Sequence, residues 1–296
     1  MLSNSTKNLS NQIFKKNFPF PYMCIDNFLD SKYANLAFKS FPKTNSSNYG
    51  DYCIEDGGLK GTNYSNSSKD SFPEDLQKVF SFFESKKFIS WLQKVSNIYD
   101  LIPDKEYYGG GIKASCDNTF LPIHLDFNRH PRFPSLHRRI NVLYYLNKNW
   151  EDYKGGHFQI HTNPRLSGKN SLFKEFAPIF NRCFIFETSE KSWHGFRKLN
   201  INKKERRKCL SFYFYTKTRP EGDVPFRNTE YVEPPIPDDI LLKLSEKDQN
   251  IINTLVARRD SRINMLYEMR RNFDSKYSHL WSEYEYYLKK YRENKK

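Results

Sequence analysis

Residues 121–161 read LPIHLDFNRHPRFPSLHRRINVLYYLNKNWEDYKGGHFQIH, and the rest of the chain is understood from them. His124-Leu125-Asp126 sets an imidazole and a carboxylate two positions apart. In an extended segment such residues point to one face, so both can grip a single divalent cation. A strand-like run comes next, in which Ile140, Val142, Tyr144 and Leu146 alternate with Arg139, Asn141, Leu143 and Tyr145. Gly155-Gly156 then leads into a second run, where Phe158 and Ile160 alternate with His157, Gln159 and His161. Downstream, Trp193-His194-Gly195 supplies another imidazole, and Arg207 stands at the start of an alternating strand through Tyr215.

A bare His-x-Asp arises often by accident; its weight here comes from the order of the strand, the second imidazole and the arginine downstream. Two histidines and one carboxylate occupy half an octahedron, the arrangement of non-haem iron(II) oxygenases. The same donors also suit a catalytic zinc with bound water. His157 and His161 have the spacing of a metal pair on a helix, but in a strand they stand about 13 Å apart. They therefore read as structural or substrate-facing. His130 and His137, in the polar stretch after the motif, read as surface residues.

The region from Tyr107 to Pro220 resembles the 2-oxoglutarate- and iron(II)-dependent oxygenases of the prolyl 4-hydroxylase type. The resemblance runs through His124-x-Asp126, Arg139 to Asn147, Trp150, Gly155-Gly156, Phe180-Asn181-Arg182, Ser192-Trp193-His194-Gly195 and Arg207 to Thr216. Asn141 to Gly156 is also similar to the catalytic domain of the animal oxygen-sensing prolyl hydroxylases. The resemblance implies Fe(II) held by His124, Asp126 and His194, with 2-oxoglutarate and O2 as cosubstrates and room for ascorbate. It favours iron over zinc. With Asp126 present the protein leaves no position for a halide, so hydroxylation is expected over halogenation.

The far carboxylate of 2-oxoglutarate needs a buried cation, and a guanidinium pairs with it bidentately. Arg207 is the candidate, whereas Arg206 would face the opposite side of the strand. Tyr145 matches a tyrosine whose hydroxyl meets that carboxylate in the oxygen-sensing enzymes. Many relatives carry Ser at the position of Cys209; Ser211, on the same face, is the candidate replacement. Asn141 is expected to line that face too. The activity implied is hydroxylation of an unactivated C–H bond, in a peptidyl proline or a small metabolite, with release of succinate and CO2. The alternative is a catalytically inactive jelly-roll interaction module that holds a partner with its basic C-terminal helices.

The expected fold is mainly β with flanking helices: a double-stranded β-helix (jelly roll, cupin-like) core plus a C-terminal helical extension. Three portions are expected. Residues 1–106 form a helical and strand support region, with a loosely held tail to about Asn17 and a long loop at 44–71 that suits a lid or a surface insertion. Residues 107–220 form the oxygenase core, and residues 221–296 a Pro-rich connection followed by roughly two basic helices. At 296 residues the chain can bury a sizeable core. Its net charge of +14 suits either nucleic acid or a solvated surface around a site for a dianion. Since neither basic run, Lys203–Lys208 or Arg258–Lys296, matches a nucleic-acid motif, the second reading is preferred. No apolar stretch is long enough to span a membrane. The five cysteines, Cys24, Cys53, Cys116, Cys183 and Cys209, are scattered as in a reduced compartment. The polar N-terminus lacks an apolar signal core, so a cytoplasmic location is expected. The sequence leaves the oligomeric state open.

Overall fold

Alternation of side chains in the central runs produces two faces, one for helices and one for a second sheet. The computed structural model describes residues 1–43, 63–162, 164, 172–220, 222, 226–232, 238–277 and, near the end, 280, 283, 284, 286, 287, 290 and 291. In chain order come α1 (Asn4–Lys7), α2 (Asn11–Lys16), β1 (Tyr22–Ile25), α3 (Ser31–Lys39), β2 (Asn63–Asn66), α4 (Glu74–Phe83) and α5 (Lys86–Ser96). Next are β3 (Ile102–Pro103), β4 (Gly111–Ser115), β5 (Leu121–Leu125), β6 (Arg129–His130), β7 (Phe133–Tyr145) and β8 (Phe158–His161). The chain continues through β9 (Leu172–Phe176), β10 (Arg182–Glu187), β11 (His194–Phe196), β12 (Arg207–Thr216) and β13 (Glu230–Val232). It closes with α6 (Asp238–Leu241) and α7 (Glu246–Lys276).

The strands form two antiparallel sheets. The larger runs β1-β10-β7-β12-β4-β2, with β3 on β12 and β6 on β7; the smaller runs β13-β5-β11-β8-β9. Together they make the jelly-roll, double-stranded β-helix core. On the outer face of the larger sheet, Ile140, Val142, Tyr144, Leu210, Phe212 and Phe214 meet Phe28 and the apolar stripes of α4 and α5. Ser85 caps α5 by accepting the Phe88 N–H, and Asn97 ends it in the left-handed conformation. The inner face carries Tyr145, Phe184, Phe186 and Cys209, packed on Phe158, Ile160 and Phe176 of the smaller sheet.

Several expectations change. The N-terminal tail is held: α1 and α2 dock through Thr6 and Phe14, and Trp91 donates its indole N–H to the Thr6 carbonyl. The aperiodic stretch 44–71 ends in a strand, β2, which covers the edge of β4; its residues 44–62, with Cys53 and the suggested lid, lie outside the described ones. The extended connection contributes β13 to the smaller sheet. A helix of 31 residues, α7, fills the first part of the expected helical region, started by Ser245, whose hydroxyl accepts the Asp248 N–H; the described residues 280, 283, 284, 286, 287, 290 and 291 are helical too. Among the described residues no helix is long and apolar enough to cross a membrane.

Phe83 joins the helix layer to the sheet. Its ring stacks on Phe212 at 4.1 Å and touches Phe28, Phe88 and Tyr144. Phe83→Ala should therefore destabilise the fold by about 3–5 kcal/mol, measured by urea denaturation.

Candidate metal centre and cosubstrate site

Pairing of β11 with β5 sets His194 directly opposite His124. Asp126 lies one residue beyond β5, on the face that His124 occupies, as alternation requires. The three residues offer ligand atoms that all lie within 4.8 Å of one another. Asp126 Oδ1 is 3.6 Å from His124 Nε2, and Oδ2 is 3.5 Å from His194 Nε2.

Hydrogen bonds fix the tautomers. His124 Nδ1 lies 2.9 Å from the Pro122 carbonyl and His194 Nδ1 2.7 Å from that of Ser192. A carbonyl only accepts, so each Nδ1 carries a proton and each Nε2 is the nitrogen that faces Asp126. Burial pushes the His194 imidazole down to about 3, and His124 adds to the shift while Asp126 opposes it. For Asp126, burial favours the neutral acid. Arg138 and the two imidazoles outweigh it and hold the carboxyl well below the usual range. The set presented at neutral pH is thus an uncharged nitrogen from His194 and an ionised oxygen from Asp126, with His124 Nε2 beside them. That donor set fits a divalent iron bound on one face.

Asp126 is itself held in place. Asn141 Nδ2 donates to Oδ2 at 2.6 Å, and Arg138 Nη2 lies 3.2 Å from the same oxygen. Arg138 is only 1% exposed and donates from Nε to Asn141 Oδ1. Its guanidinium sits 3.6 Å from the centroid of Tyr213 and 4.3 Å from that of Phe127. Sequence reasoning missed Arg138, because strict alternation turns Ile140, and with it Arg138, toward the helix layer. A register shift between Phe214 and Tyr215 pairs Tyr215 with Arg138 and skips Arg139, which turns Arg138 inward.

A second polar cluster lies farther along the same interior. Arg207, at the start of β12, is 5% exposed. It donates from Nε to the Gly156 carbonyl at 2.7 Å and from Nη2 to the Tyr145 hydroxyl at 3.4 Å. Its guanidinium rests on the Phe196 ring at 4.3 Å. Among the described residues no carboxylate pairs with it. Phe196 and His194 share a face of β11, about 7 Å apart at the usual rise, so the spacing suits a short diacid reaching from metal to guanidinium. Gly156 has φ +66°, and a Cβ there would stand 2.9 Å from Arg207 Cδ. The Gly-Gly pair is what lets this backbone approach the arginine.

Arg207 and Tyr145 therefore meet. Ser211 is buried on the same strand face, 3.8 Å from Cys209 Sγ. Asn141 stands beside the triad, bonded to Asp126. His130 and His137 are buried in β6 and β7 and are not surface residues. His130 Nδ1 accepts the N–H groups of Arg132 and Phe133, with Nε2 3.4 Å from Asp104. His157 lies 3.0 Å from both Asp152 and Arg197, while His161 is buried, which lowers it to about 4; neither belongs to the triad.

A buried His-x-Asp…His set between the sheets of a jelly roll is the ligand arrangement that facial-triad, non-haem iron(II) oxygenases use. Residues 107–215 match the family model described as the 2OG-Fe(II) oxygenase superfamily. No curated protein matches the sequence. Among solved structures, a prolyl hydroxylase from Trichoplax adhaerens, in complex with a hypoxia-inducible-factor peptide, is 17% identical with a TM-score of 0.51. The match covers 72% of this chain and 91% of that one. A Pseudomonas putida prolyl-4-hydroxylase is 12% identical with a TM-score of 0.49, over 70% of this chain and 98% of its own. At such identities the likeness concerns the fold.

The triad's environment sets two expected outcomes. Between the unfolded histidine value of 6.5 and about 3, the unfolded state binds a proton that folded His194 does not. The metal-free protein should therefore lose stability as pH falls from about 6.5 toward 3, and His194→Gln should flatten that slope in denaturation midpoints. Arg138→Met leaves Asp126 without its cation. It should destabilise the fold by about 3–5 kcal/mol and weaken Co(II) binding about 10–100-fold, read by calorimetric titration.

Proposed function

We propose that the chain hydroxylates an unactivated C–H bond of a peptidyl proline or a small metabolite. In the reaction one oxygen atom of O2 enters succinate and the other the alcohol, as 2-oxoglutarate loses CO2. The observation that carries this reading is a buried guanidinium, with no carboxylate partner among the described residues, resting on Phe196 two residues along β11 from His194 of the triad. Bound Fe(II) would supply the oxidising chemistry at the triad.

The chain's own part is to bind and orient. His124 and His194 turn their Nε2 lone pairs to the metal, and Asp126 stays ionised through Arg138 and Asn141. Arg207 provides charge and Tyr145 a hydroxyl that burial keeps protonated, its pKa pushed well above the usual phenol value. The Phe158 and Phe186 rings, 5.5 and 4.7 Å from His194, keep water from that side of the site.

With Fe(II) and 2-oxoglutarate, Asp126→Ala should form no succinate while keeping the fold. Arg207→Ala should raise the 2-oxoglutarate requirement at least about thirtyfold, the loss expected on unpairing a buried charge. Mass spectrometry for one added oxygen, on prolyl peptides and on a cell extract, separates the two substrate classes. Absence of succinate from the wild-type protein would leave the interaction-module reading.

A further inference from the structure

The smaller sheet ends in β13, a strand of three residues from the C-terminal portion. It pairs Glu230 with Leu125, Tyr231 with His124 and Val232 with Ile123. Residues facing each other across a ladder share a side, so Tyr231 lies against the imidazole of a metal ligand. The two ring centroids are 5.4 Å apart, tilted by 34°. Val232 points the other way, onto the small cluster of Ile123, Leu125 and Trp193.

A strand this short has little hold of its own at a sheet edge. Two ties from α7 secure it. Both carboxylate oxygens of Glu230, which is 2% exposed, accept from Arg271 at 2.7 Å. The backbone N–H of Tyr231 donates to the Tyr267 hydroxyl at 2.8 Å. Tyr267 and Arg271 are one helical turn apart and so share a face. Elsewhere α7 shows solvent its apolar side chains, among them Leu255, Met265, Leu266, Met269 and Phe273. One turn of a 31-residue helix therefore grips the strand beside the metal ligand.

We propose that α7 is a strut for the metal centre: Arg271 and Tyr267 clamp β13 on β5, and Tyr231 thereby holds the ring of His124 in its ligating orientation. The inference rests on the triad being the metal site. These are positioning residues, since none belongs to the triad, and they make the C-terminal portion part of the centre.

The test uses the full chain, with Co(II) alone as probe and amide hydrogen exchange as a second readout. Arg271→Met and Tyr267→Phe should each speed exchange in 121–125 and 230–232 by about tenfold and weaken Co(II) binding by about tenfold. Arg271→Lys, which keeps a charge on Glu230, should fall between Arg271→Met and wild type. Arg262→Met, an exposed change on the same helix, should match wild type. If Arg271→Met does not fold, Tyr267→Phe carries the test with the Glu230 pair intact. Faster exchange in 230–232 with unchanged Co(II) affinity would overturn the proposal and leave α7 an appendage. Failure of the wild-type protein to bind Co(II) would instead remove the metal-site reading, and the strut with it.

Discussion

The antiparallel pairing of β5 with β11 is the contact on which the rest depends. It brings together two imidazoles that the sequence keeps far apart, and it does so in register, His194 opposite His124. Facing residues on a ladder have Cβ atoms about 4.5–5.5 Å apart, the separation that two ligands of one ion require. The turn before β11 sets that register. Ser192 donates its hydroxyl to the Ser189 carbonyl and accepts the Ser189 N–H, so the chain enters β11 with His194 already turned inward. Strands β7 to β10, between the two ligands in sequence, build the walls of the chamber.

Burying a carboxylate between two imidazoles would ordinarily neutralise it. Here a guanidinium and an amide meet the same oxygen, and two aromatic faces hold the guanidinium in turn. Each layer orients the one inside it, so a soft three-ligand set gains a fixed geometry. The far end of the chamber obeys a different rule. Arg207 is held by a carbonyl, a hydroxyl and two rings, all neutral partners, so no carboxylate among the described residues compensates its charge.

Much of this was legible in the chain because it comes from periodicity. Alternation in Arg139–Leu146 and Cys209–Tyr215 located the central strands, and the spacing of His124 and Asp126 placed two ligands on one face. The stripe of Leu76, Val79, Phe80 and Phe83 announced the helix layer. Periodicity fails where the period breaks. The bulge opposite Tyr215 reversed the direction of Arg138, and no residue nearby signals it. His130 and His137 looked solvated because their neighbours are polar, yet strand pairing buries them. Short edge strands such as β2 and β13 carry too few residues to show alternation, and only the edges they cover reveal them.

Gly156 has a consequence beyond its turn. The space a methyl group would need at this position is already filled by the Leu199 side chain and by Arg207 Cδ and Nε. A side chain at 156 therefore competes for space with those at 199 and 207. Among descendants of this chain these positions are expected to drift in concert: a lineage that acquires a side chain at 156 is expected to change its partners at 199 and 207 with it.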